Sequence, residues 1–218
     1  MMHAQGQAAG ARKTFAPMPV TDDEIRERYL DRAIRELNLL AREIQECNAC
    51  PRGATAPVLG SGHPQADIML IKYAPRPSEI EEGVAFYGRS GTALMKSLRR
   101  LQIDPLAVYG TLFIKCPVPD TTLADPACVA RVAEENAIVG PKIVVLMGED
   151  ALDALNELEL PLARTLEARV GEVQELAPQM AALLVPNIDV ALDEEQTKRD
   201  FWSAFRALGS WYADLPPY

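Results

Sequence analysis

Asp67-Ile68-Met69-Leu70-Ile71-Lys72-Tyr73-Ala74-Pro75-Arg76-Pro77 is the stretch that decides the fold. Four consecutive apolar residues, Ile68 to Ile71, suit a strand buried on both faces. Pro75 and Pro77 end it, because proline has no N–H to give to a ladder. Downstream the pattern recurs, with a second strand over Val108–Lys115 and a third over Lys142–Met147. The segments between them have helical period. Gly91–Ile103 carries Leu94, Leu98 and Leu101 on one side, Pro126–Val139 follows, and Gly148 opens a helix running through Leu158. Val173–Leu176 and Ala182–Val185 are shorter strand candidates. A closing helix over Asp193–Tyr212 turns Phe201, Phe205, Leu208 and Tyr212 inward. Upstream, Thr21 and Glu24 form a capping-box pair, so a long helix should run to about Glu46 with Leu30, Ile34, Leu37 and Ile44 as its apolar stripe.

Strands alternating with helices predict a mostly parallel sheet covered on both faces. Sites in such sheets form at the carboxyl ends of the strands. The loops after Tyr73, after Lys115 and after Val185 are therefore the places to look for chemistry. Residues 21–218 are expected to form a single domain, and residues 1–20 a flexible tail.

The chain has 218 residues and a net charge of −9. No apolar stretch approaches the roughly 20 residues a bilayer span needs. The first twenty residues contain no apolar core of a secretory signal. A cytoplasmic protein with no membrane partner is the expectation. The negative charge argues against strong duplex binding, which needs cations to displace counterions. Arg89, Lys96, Arg99 and Arg100 are close enough in sequence to make one local basic face, so weak DNA binding stays open, as does a protein partner.

Four cysteines are present: Cys47, Cys50, Cys116 and Cys128. In a reducing compartment, metal binding or catalysis is a more natural use for them than disulfides. Cys47-Asn48-Ala49-Cys50 is a C-x-x-C, and the other two are spread across a proline-rich loop, Cys116-Pro117-Val118-Pro119. Four thiolates suit tetrahedral zinc or a [4Fe–4S] cluster. The spread second pair favours the cluster over a zinc ribbon, and four buried cysteines that never meet is the remaining alternative.

The residues quoted so far, with Arg52, Val58-x-Gly60-x-Gly62, Ala74-Pro75, Gly83, Phe86 and Gly88-Arg89-Ser90-Gly91, resemble the family 4 uracil-DNA glycosylases. Val108-Tyr109 through Lys115-Cys116, Cys128 and Pro141 through Gly148 continue the likeness over most of the chain. The resemblance implies a three-layer α/β/α sandwich around a mostly parallel four-stranded sheet. It also implies a structural [4Fe–4S] cluster on Cys47, Cys50, Cys116 and Cys128. A base pocket would be formed by Ala74, Pro75 and Phe86, with Phe86 as the stacking aromatic.

The departures fall on the family's catalytic positions. The family has Gly-Glu-Ala-Pro-Gly where this chain has Lys72-Tyr73-Ala74-Pro75-Arg76, so Tyr73 takes the place of the carboxylate. Leu112 stands where an Asn reads the base edge. Asn187 stands where a His stabilises the leaving uracil, and the only histidines are His3 and His63. Releasing a uracil anion from an oxocarbenium-like sugar needs donors and charge at both centres, and a flipped base needs a polar reader. The expectation is a cluster-binding member without ordinary uracil excision that acts as a binding or partner module. The alternative is an active glycosylase that removes uracil or another damaged base. An unrelated redox or small-molecule use of the fold ranks behind both. Glu79, Glu81 and Glu82 read as a solvated charged loop, and Lys72 and Arg76 as surface charges flanking the pocket. Asp189 is a lesser candidate for the missing acid.

Overall fold

A computed structural model gives the fold, and it describes residues 21–158 and 160–216. The segment 1–20, expected as a tail, lies outside the described residues. The first helix, α1 (Asp22–Glu46), starts as its sequence predicts: Thr21 accepts from the Glu24 N–H while Glu24 accepts from the Thr21 N–H. Its buried face is Ala33, Leu40 and Ile44, with Leu37 half-buried. Ile34, expected in that stripe, is 40% exposed. The face is rotated toward Ala33 because α1 lies over one neighbour, α4 (Pro126–Val139), and not flat on the sheet.

The sheet has six strands and not four. They are β1 (Ser61–Gly62), β2 (Ile68–Lys72), β3 (Val108–Leu112), β4 (Ile143–Met147), β5 (Val173–Ala177) and β6 (Met180–Val185), in the order β1-β3-β2-β4-β6-β5. The central four are parallel. Antiparallel β1 and β5 close the two edges. Every residue of β2, β3 and β4 is buried, as the apolar runs of β2 and β4 predict for parallel strands covered on both sides.

Alternation along the strands sorts the core into two clusters. Ile68 and Leu70 join Leu94, Leu98, Phe201, Phe205 and Leu208 on the side covered by α3 (Arg89–Arg100) and α7 (Glu195–Ala213). Phe201 and Phe205 stack with ring centroids 5.1 Å apart. Met69 and Ile71 join Val132, Leu152 and Leu155 under α4 and α5 (Glu149–Glu157). Two short helices fall in segments expected as loops, α2 (Pro77–Glu82) and α6 (Ile188–Ala191). No described helix is long and apolar enough to cross a membrane.

Candidate functional site

Strand register brings the site together. Lys72, the last residue of β2, sits opposite Leu112 of β3 and Met147 of β4, and Met147 in turn sits opposite Val185 of β6. These four make one row across the carboxyl edge of the sheet. Since β3 and β4 flank β2 on opposite sides, Lys72 stands where the strand order reverses, the place such folds use for ligands.

Lys72 is not a surface cation. It continues the phase of Ile68 and Leu70, so its side chain enters the core side of the sheet, where it is 1% exposed. A buried ammonium needs partners. It has two, the Glu79 carboxylate at 2.9 Å and the Asp189 carboxylate at 2.8 Å. Glu79, expected as part of a solvated loop, is fully buried. It lies in α2, which Pro77 starts, and it also accepts from the Arg76 N–H at 2.8 Å and the Phe86 N–H at 2.6 Å. Glu81 and Glu82 are exposed, as expected.

The Glu79 contact pins an unusual backbone. Phe86 has φ of 58°, a left-handed conformation rare for a bulky residue and found where surrounding structure enforces it. Its ring lies over Gly110 of β3 so closely that a Cβ there would stand 2.6 Å from the ring. Phe86 is at the same time a buried member of the core cluster with Leu94, Leu98 and Leu112. The Lys72 Nζ sits 5.2 Å from its ring centroid, within cation–π range.

The remaining positions of interest fall around this ion-paired lysine. Leu112 is fully buried in the cluster that holds Phe86. Tyr73 has the opposite phase to Lys72 and packs against the other cluster, under α5. Burial, then the carboxylates of Asp150 and Glu157, push its phenol above the ordinary range, so it supplies no negative charge in place of a carboxylate. Asn187 caps α6, with its Oδ1 accepting from the Asp189 N–H at 2.9 Å. Ala74 and Pro75 are half-buried and Arg76 is exposed. Sequence reading missed the Lys72–Glu79–Asp189 network. The available signal was the phase of Lys72 with two core residues.

Of the four cysteines, Cys50, Cys116 and Cys128 converge, their sulfurs all within 4.8 Å of one another, a set that can hold a metal. Cys47 caps the end of α1 and lies outside that set. Two backbone amides already point at the sulfurs: Lys115 N–H donates to Cys128 and Asp125 N–H to Cys50, each at 3.3 Å. The Cys128 thiol is pulled down to about 5, first by a hydrogen bond from Cys116 and also by the Lys115 amide. Burial pushes Cys50 up. Thiol donors with N–H groups directed at sulfur fit a cysteine-ligated cluster.

Beside this centre lies a second buried ion pair. Lys115 Nζ contacts Glu135 at 2.8 Å, and Glu135 also accepts from Thr111 at 2.8 Å and Tyr109 at 3.1 Å. Removing one member of a buried pair leaves an uncompensated charge and costs about 3–5 kcal/mol, while an apolar replacement of both is often close to neutral. Glu135→Ala is accordingly expected to lower the denaturation free energy by about 3–5 kcal/mol. Lys115→Met with Glu135→Leu should cost clearly less, even though Thr111 and Tyr109 also lose an acceptor. Equal losses in urea titrations of the two proteins would refute this account of the pair.

Comparison with known proteins matches residues 59–207 to the uracil DNA glycosylase superfamily. The type-4 uracil-DNA glycosylase of Archaeoglobus fulgidus is 24% identical over 185 residues, which span 81% of this chain and 93% of the relative. That of Pyrobaculum aerophilum is 29% identical over 145 residues, 64% of this chain and 72% of the relative. That of Sulfurisphaera tokodaii is 31% identical over 121 residues, 51% of this chain and 54% of the relative. With more than half of its length matched, a parallel sheet of the expected kind and three converging cysteines, the chain belongs to the uracil-DNA glycosylase superfamily.

Proposed function

We propose that this chain is a [4Fe–4S]-binding, cytoplasmic member of the superfamily that has given up uracil excision and serves as a DNA-binding or partner module. The observation that carries the proposal is the position of Lys72. Its ammonium rests on the Phe86 ring, the surface on which the family resemblance would stack the base, and is tied there by Glu79 and Asp189. A uracil entering this pocket would have to displace a lysine from two carboxylates. It would then meet Leu112, whose side chain offers no hydrogen bond to the base edge, and each polar group left unpaired there costs about 1–3 kcal/mol.

The cluster, when bound, would supply a structural clasp. Cys50, Cys116 and Cys128 would hold it, with Cys47 as the fourth ligand. Within the pocket, Asn187 keeps its amide nitrogen available as a donor, but the two carboxylates beside Phe86 are not free to position water. Glu79 and Asp189 both engage Lys72.

Single-turnover excision is the test, with protein in excess over a uracil-containing oligonucleotide, single- and double-stranded, beside a competent type-4 enzyme. The expected rate is at least about 10⁴-fold below that of the competent enzyme, because each missing transition-state donor commonly costs about 10²–10³. Agreement of the two rates within about tenfold would return the chain to the active glycosylases.

A further inference from the structure

Between α3 and the β1–β3 edge of the sheet runs an open cavity of about 530 Å³. Its walls are mostly apolar, including Phe86, Met95, Leu98 and Val108. Tyr87, 48% exposed, also lines it, next to Phe86 in sequence. Lys96 and Arg99 line it one helical turn apart and are exposed. Other cations of this helix are engaged: Arg89 with Asp193 at 3.0 Å, and Arg100 over the Trp202 ring at 4.6 Å. The ion pairs among the described residues leave out Lys96 and Arg99. Two uncompensated cations on one apolar groove are notable in a chain of net charge −9.

From this geometry we infer that the groove is a binding path for single-stranded DNA, about two or three nucleotides long, running along α3 from Tyr87 to Arg99. The inference rests on the proposed function and adds to it the form of DNA recognised and the surface that recognises it. An apolar floor has nothing to offer a duplex, whose base faces are hidden in the stack. In a single strand those faces are free to lie on Tyr87 and on the apolar wall. The two cations are spaced along the helix by about 4.5 Å of rise, a distance over which adjacent phosphates of one strand can be met. An acidic protein also repels a single strand less than the more densely charged duplex. Phe86 lines the groove, and the same ring has the Lys72 ammonium 5.2 Å from its centroid.

Fluorescence anisotropy of a labelled oligo-dT, and of the same strand annealed to oligo-dA, tests this on the full chain at low and moderate salt. The single strand should bind more tightly than the duplex. Lys96→Glu with Arg99→Glu should abolish the preference and flatten the salt dependence by about 1.4 in log–log slope, the share of two phosphate contacts. Tyr87→Ala should weaken binding by about tenfold. Arg26→Glu with Arg35→Glu, on exposed positions of α1, makes the same change in net charge and should leave the preference intact. Equal weakening by both pairs, or displacement of the oligonucleotide by polyglutamate as effective as by unlabelled dT, would mean that only bulk charge is read and would overturn the groove. Binding that survives both changes at α3 also overturns it, and leaves the reading of the chain as a DNA-binding module standing. Absence of binding to either oligonucleotide would remove both, whatever the excision assay gives.

Discussion

Serine in place of Cys116 or Cys128 is expected to leave the chain without the proposed cluster and with most of its stability lost. The two residues belong to different elements: Cys116 follows β3, and Cys128 lies in the first turn of α4. Cys50, the third of the converging set, lies just beyond α1. A group ligated by all three ties together segments that are distant in sequence, and a metal site that exists only in the folded chain contributes its binding free energy to folding. For structural metal sites that is on the order of 10 kcal/mol, comparable to the whole stability of a domain. Anaerobically purified protein should be brown and carry about four irons per chain. The two serine variants should be colourless and melt far below the parent. Cys47→Ser tests the fourth ligand separately, and its iron content should fall although its sulfur lies outside the converging trio. A colourless parent with one zinc per chain would refute the cluster, as would a Cys116→Ser protein with undiminished iron.

What the sequence allowed to be read, and what it concealed, divides along physical lines. The parallel core strands were legible because burial on both faces leaves a continuous apolar run, as in Ile68 to Ile71 and Ile143 to Met147. The edge strand β1 was not, since two residues, Ser61 and Gly62, carry no periodicity. The helix α2 was hidden by its charge: Pro77, Glu79, Glu81 and Glu82 look like loop residues, and only the fold shows that Glu79 turns inward. The same is true of the network it joins. Lys72, Glu79 and Asp189 come from three segments, and no spacing rule links them. The register that sets Lys72 beside Leu112 and Met147 also brings the β6 loop, with Asn187 and Asp189, to the same edge. The family resemblance drew attention to Tyr73 at the carboxylate position, whereas the fold draws it to the neighbouring Lys72, which is buried and ion-paired with Glu79 and Asp189. Cysteine type and spacing pointed to a metal-binding set, and the fold brings the sulfurs of three of the four, Cys50, Cys116 and Cys128, within 4.8 Å of one another.

Restored excision is expected only when the lysine plug is removed together with the three catalytic departures. Tyr73→Glu, Leu112→Asn and Asn187→His return a carboxylate, a base reader and a charge-stabilising imidazole to their loops. With Lys72 in place, the new asparagine and histidine would face a pocket whose stacking surface is already occupied, and excision should stay at background. Adding Lys72→Gly frees the Phe86 ring but strands Glu79, a fully buried carboxylate, without its counter-ion. Such a loss costs about 3–5 kcal/mol, so Glu79→Gln must accompany it to remove the charge while keeping an acceptor for the Phe86 N–H. The five-fold variant is expected to excise uracil at least about a hundredfold faster than the three-fold variant in single turnover, the scale of one recovered transition-state interaction. The gain need not reach that of a competent enzyme, because the effects of residues that act as a unit are not additive. Urea denaturation of both variants must first show comparable folded populations, so that a silent five-fold variant cannot be blamed on unfolding. If the three-fold variant, lysine retained, matches the five-fold one, Lys72 does not block the pocket and its seat on Phe86 is no obstacle to a base. If the five-fold variant alone is active, the proposed loss of excision is traced as much to Lys72 as to Tyr73, Leu112 and Asn187.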